Sequence, residues 1–397
     1  MFRTIWRKIN TMRRIGENPD EMRLFILSRF SATSPTSYWL RWLYPAWLKY
    51  VCYTLTTCFF GKNKQVSMDC SSRLLLRVPN AAGIGDQIVT SWSETYMLAR
   101  KYGLTFVHHP FVKSPIDSDR NWEEFLGFGI GEIQADQVLQ NKKLKIVWLP
   151  PISLADQSNI ALVGRIINEA YPQSNILFRL ASNIYFETDL DQSEIMPAVY
   201  STKYQAARRK FPLDPGFDTY RLHIGVHIRR GDDVNALKER HIQQWKWRWI
   251  SDSYYLNALR GILTLIDTPF QVHIFTDGTE RELCAFGNVP HCVFHLNEDP
   301  QRAFHGLVSV DILVSSSSAF AVCAGKISRG VKLIGRDFDH AQFRLFIPKT
   351  SDWIRIESDG DLSDRAKEQI REELAHRRRP RMDFRRKRKD AARSLNP

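Results

Sequence analysis

Six cysteines in 397 residues are too few for a disulfide framework, and none has the spacing of a metal-ligand pair. Cys52 and Cys58 fall in an aromatic segment, while Cys284 and Cys292 stand too far apart to suggest zinc. This scarcity favours a reducing compartment. Long apolar runs are scarce too. The best stretch, Tyr38 to Phe60, is rich in Trp, Tyr, Leu and Phe but is interrupted by Arg41, Pro45 and Lys49. A membrane-spanning helix wants about 20 apolar residues with few charges. Two cations and a proline make a poor span, whereas the aromatic content suits a membrane interface. Interfacial anchoring leads; a marginal signal anchor and a helical hairpin packed on the globular body stay open. No apolar region follows the basic start (Arg3, Arg7, Lys8, Arg13, Arg14), so no cleavable signal peptide is apparent. Asn18-Pro19-Asp20-Glu21 reads as a helix start. Asp232-Asp233 is not a D-x-D and has two arginines beside it, so a metal reading is discounted and no metal ligand is assigned.

Acidic residues are scarce only at the two ends. The net charge is +13, yet residues 1–64 hold 11 Lys/Arg against 3 Asp/Glu and residues 377–389 hold 9 against 1, which leaves the rest near −3. A nucleic-acid-binding fold would carry its positive charge on the folded body, so this pattern argues against nucleic acid as a partner. It fits attachment to anionic lipid, where each Lys or Arg near the surface is worth about 1 kcal/mol. A membrane-associated location on the cytoplasmic face follows, with a Golgi-type membrane as the alternative.

The length allows two domains with full cores. From residue 222 on, strand and helix patterns alternate. Leu222 to Ile228 reads as a buried strand, Ser251 to Ile266 as a helix N-capped by Ser251, and Gln271 to Thr276 as a strand running into Asp277-Gly278. In that helix Tyr255, Leu256, Leu259, Ile262, Leu263 and Ile266 form the apolar stripe. A helical segment from Thr279, a strand Cys292 to Leu296, a helix Arg302 to Val310, a strand Asp311 to Val314, a helix Ala319 to Ser328 and a strand Gly330 to Ile334 follow. Strands separated by such helices imply parallel crossovers and a doubly wound sheet. Its strand ends then gather RRGDD, TDG, SSSS and GRD along one edge, where ligands of open α/β sheets bind.

At that edge Arg229 and Arg230 offer planar forks suited to diphosphate oxygens, and Gly231 allows a sharp turn and close backbone approach. A surface Arg–Asp pair closing a strand is the plain alternative. Ser317 and Ser318, entering a helix, present hydroxyls and amides at a positive dipole end, although ordinary N-capping would use the same residues. His108-His109 after the strand Leu104–Val107 could line the first domain's ligand side or simply be core. Trp245, Trp247 and Trp249 could stack on sugar faces, cover a lid or pack in the interior.

The segment His227-Ile228-Arg229-Arg230-Gly231-Asp232-Asp233 resembles the HxRRGD motif of the α1,2-/α1,6-fucosyltransferase superfamily. Phe304 to Ala321, with its helix, strand and serine-rich loop, is similar to that group's later signature. Gly83-Ile84-Gly85-Asp86-Gln87 after the strand Leu74–Val78 looks like its G-x-G-N/D-Q opening loop. The resemblance covers about residues 73 to 340 and implies a GT-B architecture: two Rossmann-like domains facing a cleft, here preceded by an N-terminal helical membrane-proximal segment. It implies inverting, metal-independent transfer from a GDP-sugar, GDP-fucose first, to a glycan acceptor. His227, Gly231, Asp277, Asp299, His305, Ser317, Ser318, Gly83, Gly85 and Asp86 would then bind the donor. Arg229 and Arg230 would stabilise diphosphate charge, and Asp232, Asp233 or Glu239 would serve as base. Two departures stand out. Ala303 occupies the position where an aspartate reads guanine, and Leu237 the spacing where a glutamate follows the motif. Base reading could instead fall to Asp277, Glu298 or Asp299. A fold retained without chemistry, as a membrane-bound binding or scaffold protein, and a transferase using another nucleotide sugar are the alternatives. The expected boundaries are 1–71 for the basic aromatic segment, 72–212 and 218–345 for the two domains, and 346–397 for a helical basic tail. Phe211 to Gly216, with its two prolines, would be the linker.

Overall fold

The structure is a computed structural model that describes residues 72–79, 82–113, 120–149, 157–180, 192–231, 249–336 and 352–376. The N-terminal aromatic segment, the basic tail from 377 on, and Asp232, Asp233, Glu239, Trp245 and Trp247 lie outside the described residues. The chain divides into two compact units. Residues up to Gln192 with Thr202–Lys210 form the first, and Ser193–Ser201 with Phe211 onward form the second.

In the first unit the elements run β1 (Arg73–Arg77), α1, β2 (Thr105–His108), α2 (Trp122–Leu126), β3 (Ile133–Gln134), α3 (Ala135–Leu139), β4 (Lys145–Trp148), α4 and β5 (Ile176–Leu180). Helix α1 is Ile84–Asp86 continued by the π-helical Gln87–Ser93 and by Glu94–Lys101; α4 is Gln157–Arg165 continued by the π-helical Ile166–Ala170. The sheet order is β3-β2-β1-β5-β4, with every pair parallel. A parallel strand is covered on both faces, which is why Leu74, Leu75 and Leu76 are consecutive and all fully buried. Arg77, the last residue of β1, pairs with Glu94 of α1 at 2.7 Å, both side chains buried, and so ties the helix to the strand end. Asn121 caps α2 by accepting from the Glu124 amide at 3.1 Å, and Gly127 ends that helix at φ 68°.

After α5 (Gln192–Lys210), the second unit runs β6 (Leu222–Ile228), α6 (Asp252–Leu263), β7 (Phe270–Thr276), a 3₁₀ segment Glu280–Phe286, β8 (Cys292–Leu296), α7 (Pro300–Ser309), β9 (Ile312–Val314), α8 (Ala319–Ile327), β10 (Val331–Gly335), β11 (Trp353–Ile356) and α9 (residues 364–376). The order is β11-β10-β9-β6-β7-β8, again all parallel. Two parallel α/β sheets are thus present. Along β6, Leu222, Ile224, Val226 and Ile228 enter one core with α6 and α9, while His223, Gly225 and His227 alternate onto the opposite face.

Three sequence expectations need correction. Residues 346–397 are not merely a tail: Trp353, Ile354, Ile356, Leu362, Ala366, Ile370 and Leu374 are buried, and all but Trp353 belong to the core that α6 and the sheet build. The second domain therefore continues past residue 345. Ser251 is the N-cap residue of α6, as expected, though its Oγ lies 2.8 Å from Ser253 Oγ and makes no capping bond. The stripe of α6 is rotated, with Tyr254 and Ala258 fully buried beside Tyr255, Leu259 and Ile262, and with Leu256, Leu263 and Ile266 only partly covered. Thr279 does not start an α-helix. It forms a capping box with Glu282 ahead of the 3₁₀ turn.

Candidate functional site

From β6 the chain steps outward to β7 and β8, then crosses back to β9 on the other side of β6 and continues to β10 and β11. The connections after β6 and after β9 therefore leave in opposite directions, which opens a crevice outside their carboxyl ends. The residues there are Arg229-Arg230-Gly231 after β6 and Ser315-Ser316-Ser317-Ser318 after β9. The sequence-predicted pair of segments thus meets at one point. A direct bond joins them: His227 Nδ1 and Ser316 Oγ are 2.7 Å apart.

The serine run is inside the protein. Ser315 and Ser316 are fully buried and Ser317 and Ser318 nearly so. Ser315 Oγ donates to the Ser316 carbonyl at 2.9 Å, which tightens the turn. Ser318 occupies the N-cap of α8 in extended conformation and makes no side-chain capping bond. A nine-residue helix thus starts at the crevice with its positive end toward it. Burial holds the His227 imidazole down to about 4, with Arg229 acting in the same direction and Asp277 against it, so the ring is neutral at pH 7.

The two arginines differ. Arg229 is half-buried. Arg230 is buried, and its guanidinium is engaged by the protein. Nη2 donates to the Ile250 carbonyl at 2.8 Å and to Asp252 Oδ1 at 2.5 Å, Nη1 donates to the Arg229 carbonyl at 2.9 Å, and the group lies 4.9 Å from the Trp249 ring centre. Arg230 thus holds the start of α6 against the end of β6. Trp249, still exposed on its other side, is the cation–π partner of that guanidinium. Asp252 was not foreseen; its signal is an acidic residue in the first turn of a helix beside a buried arginine.

The turns after β6 and β7 interlock. Asp277 Oδ1 accepts from the Arg230 amide at 2.7 Å, and a Cβ on Gly231 would lie 2.6 Å from Asp277 Cγ. Likewise a Cβ on Gly278 would lie 2.7 Å from Arg230 Cβ. Gly231 is therefore required by the packing of Asp277. Asp299 is the N-cap of α7, accepting from the Gln301 and Arg302 amides at 3.0 and 3.2 Å, a structural use its sequence position did not reveal. His305 is buried within α7.

In the first unit Gly83 is the N-cap of α1, with nothing within 4 Å of an added Cβ; Gly85 is buried and Asp86 half-buried. Gln87, unassigned from sequence, fastens this loop: its amide donates to the Ala82 and Val112 carbonyls, each at 2.8 Å, and its oxygen accepts from the Val112 amide at 2.8 Å. His108 and His109 are core groups. His108 Nδ1 accepts from Trp92 Nε1 at 3.0 Å, so its Nε2 donates to Glu123 at 2.8 Å. His109 Nδ1 donates to the Pro110 carbonyl at 2.8 Å, and burial depresses its pKa to about 4. Among the described residues no group of three His, Cys, Asp or Glu is placed to hold a metal ion, and no helix is long and apolar enough to cross a membrane.

No protein-family model matches the chain, and no curated protein matches it. Solved structures do. POFUT1 in complex with GDP-fucose is similar at 13% identity and a TM-score of 0.40, over 66% of this chain and 97% of that one. The fucosyltransferase NodZ from Bradyrhizobium is similar at 14% identity and a TM-score of 0.37, over 65% and 92%. A family 9 glycosyl transferase from Veillonella parvula is similar at 12% identity and a TM-score of 0.35, over 73% and 87%. At such identities and scores the chemistry is read from the site itself.

Proposed function

We propose that the second unit binds the diphosphate of a nucleotide sugar and that the protein is a GT-B-type glycosyltransferase, fucosyltransferase-like, acting with inversion on a glycan acceptor. The observation that supports this reading is the switch in strand order between β6 and β9, where the end of β6, leading into Arg229, is bonded through His227 to Ser316 of a buried serine run. An inverting transfer needs a cation and preorganised donors where diphosphate charge grows, and a base for the acceptor proton. Arg229 supplies the cation, Ser317, Ser318 and the opening amides of α8 the donors. Asp232, Asp233 or Glu239 supplies the base. GDP-fucose is the first donor to test, and no metal is assigned to the reaction. The basic ends would hold the protein at an anionic membrane surface on the cytoplasmic side.

The fold-without-chemistry reading has its own observation: one of the two motif arginines is engaged within the protein and Ala303 stands where a base-reading aspartate would be. Calorimetric titration with GDP, UDP and their sugars, followed by product analysis against a glycan panel, separates the cases. Binding with turnover supports the transferase, binding without turnover the scaffold. Absence of binding by any nucleotide refutes both.

A further inference from the structure

Three histidines on the face of the second sheet opposite the α6 core form a continuous chain. His223 of β6, His273 of β7 and His295 of β8 stand diagonally across the strands, because His273 is in register with Gly225 and His295 with Phe275. His223 Nδ1 lies 2.9 Å from His273 Nε2, and His273 Nδ1 lies 3.0 Å from His295 Nε2. At one end His223 Nε2 is 2.8 Å from the Asp218 carbonyl oxygen; at the other His295 Nδ1 is 3.3 Å from Glu298 Oε2. Phe217 stacks on His223 and Phe275 on His295, at 4.7 and 4.3 Å between ring centres, so the chain is sandwiched by aromatic rings. It crosses the sheet from the turn before β6, at the amino ends of the strands, to the loop before α7, at their carboxyl ends.

Counting protons makes this arrangement unusual. The chain has four links: carbonyl to ring, ring to ring, ring to ring, and ring to carboxylate. The carbonyl and an ionised carboxylate only accept, and each ring-to-ring link needs one N–H, so four protons are required. Three neutral imidazoles carry three. With three protons, one link is always lone pair against lone pair, whichever tautomers are chosen. With a fourth, every link is satisfied, and the extra charge can sit on any ring by passing protons along the chain.

We propose that His223, His273 and His295 form a binding site for one shared proton, whose uptake completes the chain and fixes Glu298 beside the start of α7. This stands whether or not the edge binds a nucleotide. The middle ring is the least favourable seat for the charge. Burial and the two flanking rings hold the middle imidazole, His273, down to about 3. At the Glu298 end the carboxylate favours the charged ring, while burial and Arg302 oppose it and leave the His295 pKa below its ordinary value. Arg221 and Asp218 face the other end, and the Asp311 carboxylate accepts from the His223 amide at 2.9 Å. Uptake therefore falls on the acid side of 6.5. Above it the longest link, His295 to Glu298, is the one that breaks, which leaves Glu298 to Arg302, 3.7 Å away.

Glu298→Gln tests this, because a glutamine amide donates to neutral His295 and closes the chain with only three protons on the rings. Thermal melts of the full chain and of E298Q should cross: the variant melts higher at pH 7.5 and lower near pH 5. Side-chain ¹⁵N spectra of histidine in the wild-type chain should show one coupled transition felt by all three rings, displaced in E298Q for His223 as well as His295. Parallel melting differences at both pH values, or three independent titrations in the wild-type spectra, overturn the proposal. The wild-type spectra decide the matter even if the variant fails to fold.

Discussion

Arg230 and Arg229 are adjacent in sequence, yet their replacement should have opposite consequences. Arg230→Ala removes the donors that satisfy the Ile250 carbonyl and Asp252 and the cation over Trp249. Removing one partner of a buried pair typically costs 3–5 kcal/mol, most of it from the group left behind. The Asp252 side chain is 31% exposed, so water reaches part of the stranded carboxylate and the expected loss is about 2–3 kcal/mol. For a unit of this size that lowers the melting temperature by roughly 5–10 °C. Lysine should recover under half of it, since a single ammonium cannot serve Ile250, Asp252 and the Arg229 carbonyl together. A double-mutant cycle with Asp252→Asn should give a coupling above about 1 kcal/mol. Arg229→Ala should instead weaken nucleotide diphosphate binding roughly 10- to 100-fold, the worth of a charge-assisted contact. Calorimetry on the two single variants reads both effects. An R230A protein as stable as wild type but unable to bind nucleotide would refute the division of roles drawn between them.

Asp299→Ala should cost about 1 kcal/mol in urea melts through loss of the α7 cap, and leave the ranking of GDP over UDP unchanged if the carboxylate serves only the helix. The buried His109 has its folded pKa near 4 against about 6.5 unfolded, so the unfolded chain binds protons first and stability falls as pH drops between those values. The loss from this group should approach about 3 kcal/mol at pH 4, and the melting profile of His109→Gln should be flatter across that window. Removal of residues 377–397 should weaken sedimentation with anionic vesicles, more at low salt than at high, because surface attraction is screened over about 8–10 Å. Unchanged partitioning would leave the tail as solvated charge.

The sequence alone determined the elements whose signals are local. Leu222–Ile228 had to be a buried strand because its β-branched and apolar residues alternate with the ladder's period, and the helices between strands forced parallel crossovers. Once the strands are parallel and doubly wound, their polar ends fall on one edge, so the meeting of the end of β6 with the serine run was legible without coordinates. Partners were not. Which of two neighbouring arginines turns inward depended on Asp252, 22 residues on, and Gly231 proved to make room for Asp277 in the turn after β7. His223, His273 and His295 carry no shared motif, and only the register of β6, β7 and β8 brings their rings into line. The strand at Trp353–Ile356 and residues 364–376 read as part of a tail because amphipathic pattern says that a face will be buried but not against what. Periodicity is a property of neighbours along the chain. Contact is a property of register and crossover, which the chain acquires only when the sheet closes.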